Sequence, residues 1–223
     1  MKIGIITAMQ VEIDLLLANS EVIRVDEHFG RKVYLAKYGN NELFMGVSGI
    51  GKANAASFTQ LLIDKYEIEA VINSGIAGSL EDGLGTMSVV VASELHYHDI
   101  PKRISKGTYP GLDVFPVDDV LRDLAAQAIP NNTKYRVGPI ATGDDFIDST
   151  DKKKLIVERT GALATDMESA AIAHIAAGAG VKCLIIRAIS DAADEAANET
   201  YDNFEEVAAN LSVEVLLVVL DAI

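Results

Sequence analysis

The chain has no tryptophan and a single cysteine, Cys183, among 223 residues. One cysteine excludes an intramolecular disulfide framework. With only four scattered histidines (His28, His96, His98 and His174) it also leaves no ligand set spaced for structural zinc. Even His96-Tyr97-His98, at strand spacing, lacks nearby thiols or further imidazoles, so neither a metal nor a cofactor is expected. Cationic residues are scarce as well. Nineteen Lys and Arg against 33 Asp and Glu give a formal net charge of −14, which repels nucleic-acid phosphates, and no basic stripe interleaved with aromatics offsets it. Apolar runs long enough to cross a bilayer are missing: the most apolar tail, Leu211 to Ile223, is short and interrupted by Glu214. Met1-Lys2-Ile3-Gly4-Ile5 enters a strand pattern without a charged leader, and Cys183 inside an apolar run fits a buried thiol. A cytoplasmic protein with no nucleic-acid or membrane partner is the expectation.

What is present is a core. Hydrophobic residues make up 49% of the chain, enough to stabilise a domain without staples. No repeat, low-complexity tract or linker divides residues 1–223, which reads as one domain. Apolar runs alternate with helical patterns: strands at 3–6, 70–72, 87–94, 135–140 and 181–189, and a hairpin over 33–47 around Gly39-Asn40-Asn41. Helices are expected at 11–17, 52–66, 118–128, 151–159, 167–177 (stopped by Gly178 and Gly180) and from about Tyr201 onward. His98 to Val117, with three of the five prolines, reads as a long loop. This alternation is that of an α/β fold.

Three segments place acids just beyond apolar runs: Ala8-Met9-Gln10-Val11-Glu12, Asp166-Met167-Glu168-Ser169 and Arg187-Ala188-Ile189-Ser190-Asp191. In open α/β sheets ligands bind beyond the carboxyl ends of strands, so the three can meet in one pocket. A competing motif, Gly46-Val47-Ser48-Gly49-Ile50-Gly51-Lys52-Ala53, follows a strand and opens a helix in the manner of a phosphate-binding loop. Ala53 stands where a magnesium-binding hydroxyl is needed, and Ala70-Val71-Ile72-Asn73 does not end in an acid. The glycines are better read as allowing a tight strand-to-helix turn.

Gly4-Ile5-Ile6 with Ala8-Met9 and Glu12, Ser48-Gly49-Ile50-Gly51-Lys52, Gly75 with Ala77-Gly78, Tyr97-His98-Asp99, Gly143-Asp144 with Phe146-Ile147, Met167-Glu168 and Arg187 to Asp191 follow one another along the chain, with Asp202, Phe204 and Ala208-Ala209 near its end. Together they resemble the 5′-methylthioadenosine/S-adenosylhomocysteine nucleosidases of the nucleoside phosphorylase-like superfamily. The resemblance implies a three-layer α/β sandwich with a central mixed, twisted sheet flanked by helices. It also implies hydrolysis of an adenosine-type N-glycosidic bond to adenine and a 5-thio-substituted ribose. As adenine leaves it gains electron density while the ribose becomes oxocarbenium-like, so such a site needs an acid at the base, polar groups at the sugar and an activated water. On the family pattern Asp191 is the acid at purine N7, positioned by Ser190. Glu168 binds the ribose hydroxyls, Met167 packs on the sugar, and Glu12 orients water with Arg187 nearby. Phe146 stacks on adenine, the Ile147 backbone reads its edge, and Met9, Ile76, Ala77 and Gly78 complete the substrate surface. A homodimer follows too, with the His98 to Val117 loop completing the neighbour's pocket.

Each assignment has a structural rival. Asp191 or Asp194 could cap the following helix, Glu12 and Glu168 could sit in first helical turns for the sake of the macrodipole, and Phe146 and Met167 could be core. The departure from the family pattern is Ile76, where relatives carry Ser or Thr to help hold water or, in phosphorylases, phosphate. Asn73 likewise stands where related phosphorylases place an Arg, and Ser74 or Ser79 are the candidates to compensate. Both losses disfavour a purine nucleoside phosphorylase. Asp191 disfavours a futalosine-type hydrolase, since hypoxanthine recognition favours an amide there. A non-catalytic nucleoside-binding protein is the reading from a different class.

Overall fold

The structure, a computed structural model, describes residues 1–223. Its centre is a set of strands buried on both faces: β1 (Lys2–Thr7), β4 (Asn41–Val47), β5 (Ala70–Ser79) and β10 (Lys182–Asp191) run parallel, and every residue of β5 is buried. Burial on both faces is why these strands read as continuous apolar runs rather than alternating ones. From β1 the sheet extends through β4 to β3 (Arg31–Tyr38) and β2 (Glu21–His28), an antiparallel edge. On the other side it curls. β10 pairs with β6 (Val89–Tyr97), β6 with β8 (Tyr135–Thr142), β8 with β9 (Ala164–Asp166), and β9 returns to β5, closing a five-stranded ring. The sheet is mixed and twisted, as expected, but half of it is barrel-like.

Helices cover both faces. α2 (Lys52–Tyr66) and α6 (Ser169–Ala179) pack together on one, over a core containing Ile6, Phe58, Leu62, Val71, Ile172 and Ile185. On the other, α7 (Ala197–Ala222) lies along β10 and β5, flanked by α1 (Asp14–Ala18) and α4 (Asp119–Gln127), over Ile3, Ile5, Ile72, Leu184, Val215 and Leu216. α5 (Thr150–Thr160) packs beside β8. No helix is long and apolar enough to cross a membrane.

The differences from the sequence reading are informative. Strand β2 went unread because its residues are mostly exposed at the sheet edge, so no inward-facing alternation marks it. Residues 98–117 are not structureless: they hold α3 (Lys102–Gly107) and the short β7 (Phe115–Pro116), which pairs with β6. The helix expected over 11–17 splits into a 3-10 turn (Gln10–Glu12) and α1, and α7 starts at Ala197 rather than near Tyr201. Glu168 is not inside the first turn of α6 but at its N-cap.

Candidate active site

β10 carries a bulge opposite β5. Ile189 pairs with Ala77 and Asp191 with Gly78, so Ser190 is the extra residue. Bulges re-aim side chains, and here Ser190 and Asp191 both reach the same cavity. That cavity, of about 290 Å³, lies at the ends of β1, β5 and β10. Glu12, Met9, Ile76, Met167 and Glu168 line it, together with Ala77, Gly78, Phe146, Ile147, Ser190 and Asp191.

Asp191 is buried. Its Oδ2 accepts from Ser190 Oγ at 2.8 Å and its Oδ1 from the Ala193 N–H at 2.9 Å. It does not cap α7, whose first turn is approached instead by Asp194, accepting from the Ala196 N–H. Burial pushes the Asp191 carboxyl above the usual range, against those two hydrogen bonds. A carboxyl shifted in this direction keeps a proton more readily, as a group that must deliver one does.

Glu12 is held by three backbone donors: Ala8 N–H at 2.8 Å and Met9 N–H at 3.0 Å on Oε2, and Ile76 N–H at 3.1 Å on Oε1. Burial nevertheless raises its pKa, with Arg187 opposing. Glu168 accepts from the Gly51 N–H at 2.9 Å. Gly51 sits at φ 98°, a conformation glycine adopts without strain, so the turn once resembling a phosphate loop instead aims an N–H at a carboxylate. Lys52, the cation of that motif, is tied to Asp99 and, at 3.5 Å, to Asp144. Burial pushes Glu168 up to about 7, with Arg187 pulling it down and Asp166 pushing it further up.

Arg187, expected at the substrate surface, does not line the cavity. It is fully buried behind the carboxylates, its Nε and Nη2 each 2.7 Å from Asp166 Oδ2, with Nη2 also on Asn73 Oδ1 at 2.5 Å and 3.5 Å from Glu168. The reason is electrostatic: a buried guanidinium is tolerated only where carboxylates pair with it. Its Nη1 has no partner and lies beside Glu12 at Gly75. Asn73 is accordingly a framework residue, also donating to the Ile6 carbonyl at 2.8 Å. Neither serine suggested as compensation for Ile76 reaches the cavity. Ser74 pairs with Ser212 at 2.7 Å, and Ser79 donates to the Glu81 carbonyl.

Sequence reasoning gave no role to Tyr201, Asn198 and Thr165, which also line the cavity. Tyr201 stands edge-on to Phe146, ring centroids 5.8 Å apart, and its hydroxyl donates to Glu205 at 2.9 Å. An aromatic one residue before the motif residue Asp202 was the available signal. No group of side chains is arranged to hold a metal.

A mixed, partly closed sheet with four buried acids, Glu12, Asp166, Glu168 and Asp191, on one cavity at its strand ends defines a class of enzyme folds, and comparison with known proteins names it. Residues 2–223 match the model of the phosphorylase superfamily, and the chain belongs to that superfamily. Within it the chain falls among the 5′-methylthioadenosine/S-adenosylhomocysteine nucleosidases. It is 37% identical to the enzyme of that name from Exiguobacterium, over 98% of this chain and 97% of that one. It is 35% identical to the aminodeoxyfutalosine nucleosidase of Campylobacter jejuni over 97% of each. Among solved structures, the S-adenosylhomocysteine nucleosidase of Streptococcus pyogenes in complex with 5-methylthiotubericidin superposes with a TM-score of 0.93 at 34% identity, covering 100% of this chain and 97% of that one.

Proposed function

We propose that residues 1–223 act as one catalytic unit that hydrolyses the N-glycosidic bond of 5′-methylthioadenosine and S-adenosylhomocysteine. Asp191 protonates the leaving adenine and Glu12 orients the attacking water. The observation that carries this reading is Asp191 itself: brought to the cavity next to the Ser190 bulge, fixed by Ser190 and Ala193, and raised by burial above the usual carboxyl range, the direction a general acid needs. Glu168, held by Gly51, faces the cavity as an acceptor for the ribose hydroxyls, and Phe146, braced by Tyr201, offers a face to the base. As the ribose turns cationic, the buried carboxylates Glu12 and Glu168 stabilise it, because charge acts strongly in a water-poor site.

Hydrolysis rather than phosphorolysis follows from charge. No Lys or Arg lines the cavity, Arg187 is committed to Asp166 and Asn73, and Ile76 offers no hydroxyl. A phosphate there would face carboxylates without a counterion. The protein works as a homodimer in the cytoplasm. Support for the dimer is the half-exposed Ile50 at the cavity rim, together with exposed Ile104 and Tyr109 on the 98–117 segment, apolar surfaces suited to a second copy. Incubation with a panel of 6-amino and 6-oxo nucleosides bearing different 5′ substituents, with and without phosphate, tests the reading. Adenine and a free thio-sugar from methylthioadenosine are expected without phosphate, and sugar 1-phosphates or a requirement for phosphate would overturn it.

A further inference from the structure

Three stretches of chain far apart in sequence are tied together by Lys52, the first residue of α2. Its Nζ is ion-paired with Asp99, just past the end of β6, and lies 3.5 Å from Asp144, just past the end of β8. The backbone closes the same triangle. Asp144 N–H donates to Asp99 Oδ2 at 3.0 Å, and Lys52 N–H donates to Asp144 Oδ1 at 2.8 Å. The Lys52 side chain is only 18% exposed and its Nζ stands 5.5 Å from the centre of the Tyr97 ring, so solvent and salt screen this cation less than they screen a surface lysine. Burial acts to raise the Asp99 carboxyl, yet Lys52 and the Asp144 N–H hold it below the usual carboxylate range. None of the three residues lines the cavity, whereas Asp145, Phe146 and Ile147, which follow Asp144 directly, all do. The other ion pair on this loop, Asp145 with Lys152, joins two half-exposed side chains and holds it weakly.

We propose that Lys52 is a positioning residue for base binding: by gripping Asp99 and Asp144 together it fastens residues 143–147 to the end of β6 and the start of α2, so that Phe146 and Ile147 stand ready for the purine. The inference rests on the nucleosidase reading of the preceding subsection and adds a residue outside the cavity to it. A loop ordered before the base arrives costs less to order on binding. Lys52 acts through that loop alone. Glu12 and Asp191 sit on other elements, and Glu168 is held by the Gly51 N–H, a backbone donor that replacement of the Lys52 side chain leaves in place. Loss of the clamp therefore weakens binding of the base, in ground state and transition state alike, which raises KM and spares kcat.

The test compares wild type with Lys52→Met, which keeps the aliphatic stem and removes the charge, Lys52→Arg, which keeps the charge, Asp144→Asn, which keeps an acceptor for the Lys52 N–H, and the double variant of Lys52→Met with Asp144→Asn. Steady-state turnover of methylthioadenosine, calorimetric titration with free adenine and amide hydrogen exchange are measured on each. Lys52→Met is expected to raise KM about fivefold to tenfold, the range of one partly buried charged contact, with kcat within about twofold of wild type. Adenine, which has no ribose to contact Glu168, should bind more weakly by the same factor. Exchange should accelerate in residues 143–148 and stay unchanged in β5 and β10. Lys52→Arg should recover most of the loss, and the double variant should be no worse than Lys52→Met, since both substitutions open one clamp. Unchanged KM and adenine binding in Lys52→Met, a higher KM with adenine binding intact, or faster exchange throughout the protein would overturn the proposal. If the wild type releases no adenine from methylthioadenosine, the nucleosidase reading fails on its own. Hydrogen exchange then decides the clamp: acceleration confined to residues 143–148 in Lys52→Met supports it, and unchanged exchange there overturns it.

Discussion

The Glu12 carboxylate and the Arg187 guanidinium share the space beside Gly75: a Cβ on that glycine would collide with Oε1 of the one and Nη1 of the other. The acid that would hold water and the base that neutralises the cluster are thus packed against a stretch of β5 backbone that has no side chain. Gly75→Ala is expected to destabilise the protein by about 1–3 kcal/mol through overpacking, lowering Tm by roughly 2–4 °C per kcal/mol in a chain of this size. It should also lower kcat by at least about 100-fold, since misplacement of catalytic groups by an ångström costs that much. Thermal melting and steady-state kinetics on the same preparation check both. A Tm loss with unchanged kcat would show that Glu12 and Arg187 move without consequence.

Glu168 makes both stability and binding depend on pH. Its pKa is raised from 4.5 to about 7, chiefly by burial, so the folded state holds a proton that the unfolded chain releases. Its contribution to stability is therefore fully present below about pH 4.5 and is lost as pH rises through about 7. Substrate binding runs the other way, because accepting ribose hydroxyls calls for the ionised carboxylate. KM should fall as pH rises from 6 to 8, and Glu168→Gln should remove that pH dependence while raising KM at pH 8. A wild-type KM independent of pH across this range would separate Glu168 from ribose binding.

Ile76 offers a gain. Its backbone N–H already serves Glu12, and its side chain presents only hydrocarbon to the cavity. Ile76→Ser should raise kcat by up to about tenfold, since one positioned hydrogen bond contributes on the order of 1 kcal/mol. The lost burial should lower Tm, because large-to-small replacement in a core typically costs about 2–5 kcal/mol. If kcat in the folded variant stays level or drops, the water is held without help from this position.

How much of this was legible in the sequence depended on the physics of each element. α2 was read as residues 52–66, the bounds the structure has, because Gly51 opens it and its apolar positions recur at helical spacing. β9 was not, since three residues carry no period, and β2 was not, since an exposed edge strand has no buried face to mark it. Every expected site residue except Arg187 lines the cavity, and motif order in the resembled family made that possible. The partners of Arg187 were beyond reach. Asn73, Asp166 and Arg187 lie far apart along the chain, and only the closure of β5, β9 and β10 brings them together. The β10 bulge was likewise invisible, because one extra residue in a strand buried on both faces leaves no trace in a pattern with no alternation.

That bulge sets up the sharpest separation between catalysis and structure. Asp191 accepts the Ala193 N–H through Oδ1 and the Ser190 hydroxyl through Oδ2, and it lies six residues before the start of α7, so it is not the cap of that helix. Asn in its place keeps the size and an oxygen for Ala193, and Asn and Asp serve such local turns comparably, so Tm should stay within a few degrees. An amide, however, has no proton to deliver to a leaving purine. General acid catalysis contributes on the order of 10²–10⁴-fold, and Asp191→Asn should lower kcat by at least that factor while the protein still binds methylthioadenosine. Single-turnover adenine release, a binding titration and a melting curve on the same variant check the three statements. Near-wild-type turnover with an unchanged Tm would remove Asp191 from the chemistry.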